Sequence, residues 1–210
     1  MNKKYILGKT MIGSHIWKMN TPKSDEDYFK VYMDTTEDVF RGTAKYKSYF
    51  TQDNGVDVHS HEIKKVIEQI LKGNINFIIG ITSSIIIETT KHFDELRHLT
   101  FRNLSKNTYH SIHGMSKHNY QKYIIEKEDT SERKCNQILR ALEFGITLLK
   151  YRKIEYKPFT DGTPELILKK MDELDKAYEK STIPEKPNED ELRDYLCKMR
   201  KWNWWDNLEV

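Results

Sequence analysis

Hydrophobic and polar positions change period along the chain, and the changes mark its elements. Tyr5 to Ile12 reads as a strand running into Gly13-Ser14. Ser14 to Met19 has room for about one helical turn. Asn20-Thr21-Pro22-Lys23 reads as a loop, because proline disfavours helix at the residue before it. Asp27 to Met33 (DYFKVYM) is rich in β-formers. Thr43 to Gln52 alternates and is followed by Asp53-Asn54-Gly55 and Val56-Asp57-Val58. Asn-Gly between two β-prone runs is a strong short-range hairpin signal, so Val56–Val58 is expected to return into the sheet of the first two strands.

The period then becomes helical. Ile63, Val66, Ile67, Ile70 and Leu71 share one face, with Ser60 as the expected cap, the start at His61 or Glu62, and Gly73 as the stop. Ile75 to Ile81 is apolar throughout and fits either a buried strand or a buried helix. Helices are expected over 88–104, 111–126, 131–152, 164–181 and 189–202, with prolines between them. The pattern predicts an α+β protein: a small mixed sheet with packed helices over 1–85, then a helical bundle over 86–210.

Composition narrows the function classes only a little. The 210 residues carry 35 Lys+Arg against 32 Asp+Glu, a net charge of +3, so a basic face for nucleic acid is neither required nor excluded. Cys135 and Cys197 form no CxxC pair, which fits a reducing, cytoplasmic setting. The N-terminus lacks the h-region and cleavage site of a signal peptide. No apolar run approaches the ~20 residues of a membrane span. His59 with His61, and His110 with His113, lack the further ligands that a zinc site needs. Trp202, Trp204 and Trp205 read as a terminal helix pinned to the core, with base stacking as the alternative.

The chemistry concentrates between Gly13 and Met33. A Gly-Ser turn offers a bare N–H and a hydroxyl to a phosphate. Asp25 and Asp27 are two apart, so on a strand they point to one face. Two carboxylates beside a phosphate turn suit divalent metals bridged by a triphosphate. A third carboxylate follows on the hairpin as Asp57, with Asp34, Asp38 and Glu62 as alternatives.

These residues resemble a known family. Gly13-Ser14 followed by Ser24-Asp25-x-Asp27 looks like the signature of the DNA polymerase β nucleotidyltransferase superfamily. Thr21-Pro22, His61-Glu62-Ile63-x-Lys65, Lys72-Gly73-Asn74-x-Asn76, His113-Gly114-Met115-Ser116, Lys134 and Gln137-x-x-Arg140 resemble its RNA repair pathway branch. The chain departs from that pattern at Lys18, Phe29-Lys30 and Ile79. The resemblance implies a nucleoside triphosphate held by Gly13, Ser14, Lys134 and Arg140. It implies Mg²⁺ or Mn²⁺ held by Asp25, Asp27 and Asp57. It further implies transfer of a nucleoside monophosphate to an acceptor hydroxyl, first of all an RNA 3′ end. A protein or small-molecule acceptor, or a non-catalytic nucleotide- or RNA-binding module, is the alternative.

Overall fold

The computed structural model describes residues 4–206, and side chains up to Trp202. Its centre is a five-stranded mixed sheet in the order β3-β4-β2-β1-β5. The strands are β1 (Tyr5–Met11), β2 (Glu26–Met33), β3 (Ser48–Asp53), β4 (Val56–Glu62) and β5 (Ile86–Thr89). All neighbours are antiparallel except β2 and β4, which run parallel. The expected hairpin forms across Asn54-Gly55. Both residues have positive φ (48° and 80°), as a two-residue turn with matching twist demands. The return strand reaches Glu62, four residues beyond Val58.

That extra length corrects the cap. Ser60 is buried within β4, and Glu62 is the N-cap of α2 (Ile63–Leu71), its carboxylate accepting from the Lys64 N–H at 2.7 Å. The ambiguous apolar run is helical, α3 (Ile75–Thr82), capped by the Asn74 side chain. A short helix that the pattern did not mark, α1 (Thr36–Phe40), follows β2, with Thr35 as its cap. The helix expected from Glu88 starts at Lys91 (α4, Lys91–Arg102), because Ile86–Thr89 is taken up as an edge strand on β1. The expected 111–126 helix begins earlier, as α5 (Asn107–Asn119), and ends in a π-helical turn over Tyr120–Ile125. Three long helices follow: α6 (Glu132–Tyr151), α7 (Pro164–Lys180) and α8 (Glu189–Asp206).

Two apolar clusters hold these layers. One lies under the sheet, where Leu7, Phe29, Val31 and Met33 meet the α2 stripe, Phe93 and Leu96 of α4, and Leu192, Tyr195 and Met199 of α8. The other gathers α5, α6 and α7 with Ile16, Trp17, Ile75 and Ile78. Trp17 and α3 therefore tie the helices to the sheet. Trp202 packs edge-on against Tyr5, 4.7 Å between ring centres, and against His92. The side chains of Trp204 and Trp205 lie outside the described residues.

Candidate active site

Asp25 stands just before β2, and Asp27 is its second residue. The parallel register sets Asp27 opposite Asp57, Phe29 opposite His59 and Val31 opposite His61. Side chains alternate along a strand, so Asp27 and Phe29 share a sheet face with Asp57, His59 and His61. The hairpin is tied to this spot as well: the Glu26 N–H donates to the Gly55 carbonyl at 2.9 Å.

Gly13 sits on the same spot from the β1 side. The Ile12 N–H donates to the Asp27 carbonyl at 2.8 Å, and the turn closes when the Met19 N–H donates to the Ser14 carbonyl at 3.0 Å. Gly13 has φ +67°, and a Cβ there would stand 2.0 Å from Asp27 Oδ2. Only glycine lets the turn and the carboxylate approach so closely.

Charge is concentrated at this point. Burial first, then the neighbouring Asp57 and, more weakly, Asp25 push the Asp27 carboxyl above its usual range, against the opposing pull of His59 and His15. Asp57 Oδ1 is buried without a hydrogen-bond partner. Hard carboxylate oxygens that repel one another, one of them uncommitted, fit a divalent cation such as Mg²⁺ or Mn²⁺. As the side chains stand, no group of three His, Cys, Asp or Glu among the described residues forms a ready cage. Of the other carboxylates considered, Asp34 and Glu62 lie at the far end of the sheet, where Arg200 bonds both. Asp38 is engaged with Thr35 and Thr43.

Two clefts meet here. The first, about 810 Å³, is polar and runs past Gly13, Ser14, Lys23, Asp25 and Asp27 to Arg133 and Arg140 of α6. The second, about 480 Å³, is a narrower slot between sheet and helices, walled by Phe29, His59, His61 and Phe77 and edged by the Asn76, Asn119 and Gln137 side chains. Gly13, Trp17, Gln137 and Arg140 line both. The Arg140 guanidinium lies over the Trp17 ring, touches Met19 Sδ at 3.7 Å and leaves its Nε buried without a partner. Its solvent-poor position lowers its pKa. Lys134 lines neither cleft. Its ammonium rests 4.2 Å from the centre of the Tyr123 ring. Arg133, Lys23 and Trp17 line the polar cleft without having stood out in the sequence. Arg133 alone had a signal to offer: one residue before Lys134, it falls seven before Arg140, two turns along the same helix face.

A mixed sheet carrying carboxylates on register-matched parallel strands, roofed by a helical layer, is an α+β nucleotidyltransferase-type architecture. The chain belongs to the RNA repair pathway DNA polymerase beta family, whose model matches residues 2–198. A solved nucleotidyltransferase-like protein from Exiguobacterium sibiricum 255-15 is 12% identical, over 83% of this chain and 69% of that one. The TM-score between the two is 0.33. No curated protein matches the chain. No helix among the described residues is long and apolar enough to cross a membrane.

Proposed function

We propose that the protein is a metal-dependent nucleotidyltransferase. It moves a nucleoside monophosphate from a nucleoside triphosphate to an acceptor hydroxyl, that of an RNA 3′ end, and releases pyrophosphate. The observation that carries this is the Asp27–Asp57 pairing across parallel strands, with Asp27 lining a polar cleft that also holds a Gly-Ser turn and two arginines. Nucleotidyltransferases generally work with divalent metals, and here Asp25, Asp27 and Asp57 would hold them. Such ions, when bound, supply neutralisation of the triphosphate and activation of the attacking hydroxyl.

The protein's own groups do the rest. Gly13 N–H and Ser14 Oγ donate to the outer phosphates. Arg140, and Arg133 in place of Lys134, draw charge off the leaving pyrophosphate. Asp57, with one uncommitted oxygen beside Asp27, would draw the proton from the attacking hydroxyl. In this reading residues 1–85 are the catalytic unit. Residues 86–210 are the helical unit that closes it, returning β5 to the sheet edge and α8 to its core. A reducing cytoplasm suits Cys135 and Cys197, both free thiols.

The test is incubation with labelled NTPs, Mg²⁺ and RNA. Label should join the 3′ end, and Asp25→Ala with Asp27→Ala should abolish it. Label on a protein or small molecule instead would move the acceptor. NTP binding without transfer to anything would reduce the protein to a binding module.

A further inference from the structure

Three ammoniums converge on one tyrosine beside the clefts. Lys134 of α6 lies 4.2 Å from the centre of the Tyr123 ring, Lys122 at 5.4 Å and Lys127 at 5.7 Å. The ring face attracts each cation, which explains why they gather. It does not neutralise them. Like charges gathered around one ring repel one another and leave their positive field to an anion that comes near.

Elsewhere the chain settles such lysines with carboxylates, as in Lys170 with Glu143 and Glu173, Lys176 with Asp172 and Lys198 with Glu95. None of the three around Tyr123 makes an ion pair among the described residues. The nearby acids have other work. Asp129 accepts from the Ser131 N–H at 3.2 Å, and Glu132 accepts from Asn136 at 3.1 Å. Asp129 still feels Lys134 and Lys127, the weaker of the influences that lower its pKa, and Glu126 and Glu128, which flank Lys127 in the chain, make no ion pair with any of the three lysines among the described residues.

Backbone geometry and position give this cluster a purpose. Tyr123 sits in the π-helical turn Tyr120–Ile125, a conformation that recurs at functional sites. The residue just before that turn, Asn119, edges the narrow slot, and the residue just before Lys134, Arg133, lines the polar cleft. The lysines line neither cleft, but they sit on the two elements that contribute Asn119 and Arg133 to them. Lys127 and Ile125 are exposed, the isoleucine at 52%.

We infer that Lys122, Lys127 and Lys134, gathered by Tyr123, form a docking site for the phosphodiester backbone of single-stranded RNA, leading its 3′ end toward Asp57. A row of point charges that reads phosphates and not bases fits a strand whose sequence need not be fixed. This rests on the RNA-acceptor reading above and names the surface that reading lacks.

The experiment measures binding and transfer separately. Anisotropy of a 5′-labelled single-stranded oligoribonucleotide, without NTP, is followed against salt for the wild type, Lys122→Ala/Lys127→Ala, Tyr123→Phe and Tyr123→Ala. Two lost phosphate contacts should weaken binding about tenfold near physiological salt and flatten the log–log salt slope by about 1.4, at ~0.7 per single-strand contact. Tyr123→Phe keeps the ring and should bind as the wild type does, while Tyr123→Ala should fall between. In transfer assays the double variant should raise the RNA KM by the same factor, with kcat at saturating RNA and the NTP KM unchanged. Unchanged affinity and slope in the double variant would overturn the docking site, as would a wild type that binds no RNA and takes up a phosphopeptide instead. Lysine-dependent RNA binding without transfer to RNA would uphold the docking site and sink the RNA-acceptor proposal.

Discussion

Arg140 lies over Trp17, its guanidinium carbon 5.6 Å from the ring centre, at the point where the polar cleft and the narrow slot join. The stack holds a planar cation in place with its Nε unspent. A phosphate entering the polar cleft meets a donor that is already oriented. Arg140→Ala should raise the NTP KM by 10- to 100-fold, the ~1.5–3 kcal/mol of a hydrogen bond to a charged group. Arg140→Lys should recover only part of this, because the ammonium keeps charge but loses the stack. Steady-state kinetics with thermal shift in NTP checks both.

The approach of Gly13 to Asp27 makes a second prediction. Gly13→Ala places a methyl 2.0 Å from Asp27 Oδ2 at a left-handed φ, so either turn or carboxylate must move. Transfer should fall by at least 100-fold while far-UV circular dichroism stays native. Asp27→Asn should likewise lose transfer, yet it should unfold at a higher temperature than the wild type at neutral pH without metal. The reason is the raised Asp27 pKa. A carboxyl favoured in its protonated form by the fold burdens that fold once it ionises, and the amide removes the burden.

His61 supplies the pH dependence. Burial chiefly, with His59 and Lys65, brings its pKa down to about 4, while its ring packs 4.6 Å from both Phe29 and Phe77. The unfolded chain therefore binds a proton near pH 6.5 that the folded one refuses until about pH 4. Stability from this group is whole above pH 6.5 and drains away as pH falls toward 4, by up to ~3 kcal/mol before solvent screening reduces it. Urea melts at pH 7 and pH 4.5 should differ by less in His61→Phe than in the wild type.

Arg200 of α8 bonds Glu62 and donates to the Asp34 carbonyl at 2.9 Å, and Glu62 is fully buried. Burial pushes the Glu62 carboxyl up despite the opposing Arg200, so the pair holds a costly charge in place. Arg200→Met should destabilise by about 3–5 kcal/mol, because one partner is left buried alone. Adding Glu62→Gln should return much of that loss. Chemical denaturation of the four proteins of the double-mutant cycle reads the coupling.

The parts of the site legible in the sequence are those written in short-range signals. Gly13-Ser14, the i, i+2 spacing of Asp25 and Asp27, and Asn54-Gly55 each act over a few residues, so the sheet's centre could be drawn without coordinates. Ile86–Thr89 could not. It is an exposed edge strand whose partners on β1 lie about eighty residues earlier, and its text blends into the helix that follows. Ser60 looked like a cap because serine before a periodic run usually is one. Pairing with β2 carried the strand through it and passed the capping to Glu62. On α6 the sequence put Lys134 and Arg140 six apart, about 120° apart around the helix and so off a shared face. The structure turns Arg140 to the clefts and Lys134 to Tyr123, a partner no local pattern announces.

The turn at Asn54-Gly55 has a further consequence. A strand shows its side chains to alternate faces, so one residue added or removed there would turn Asp57, His59 and His61 outward together and bring Val56, Val58 and Ser60 in. The hairpin is a ruler: its length decides whether Asp57 shares a face with Asp27. Whatever side chains β3 carries, the number of residues in this turn sets which face of β4 meets Asp27.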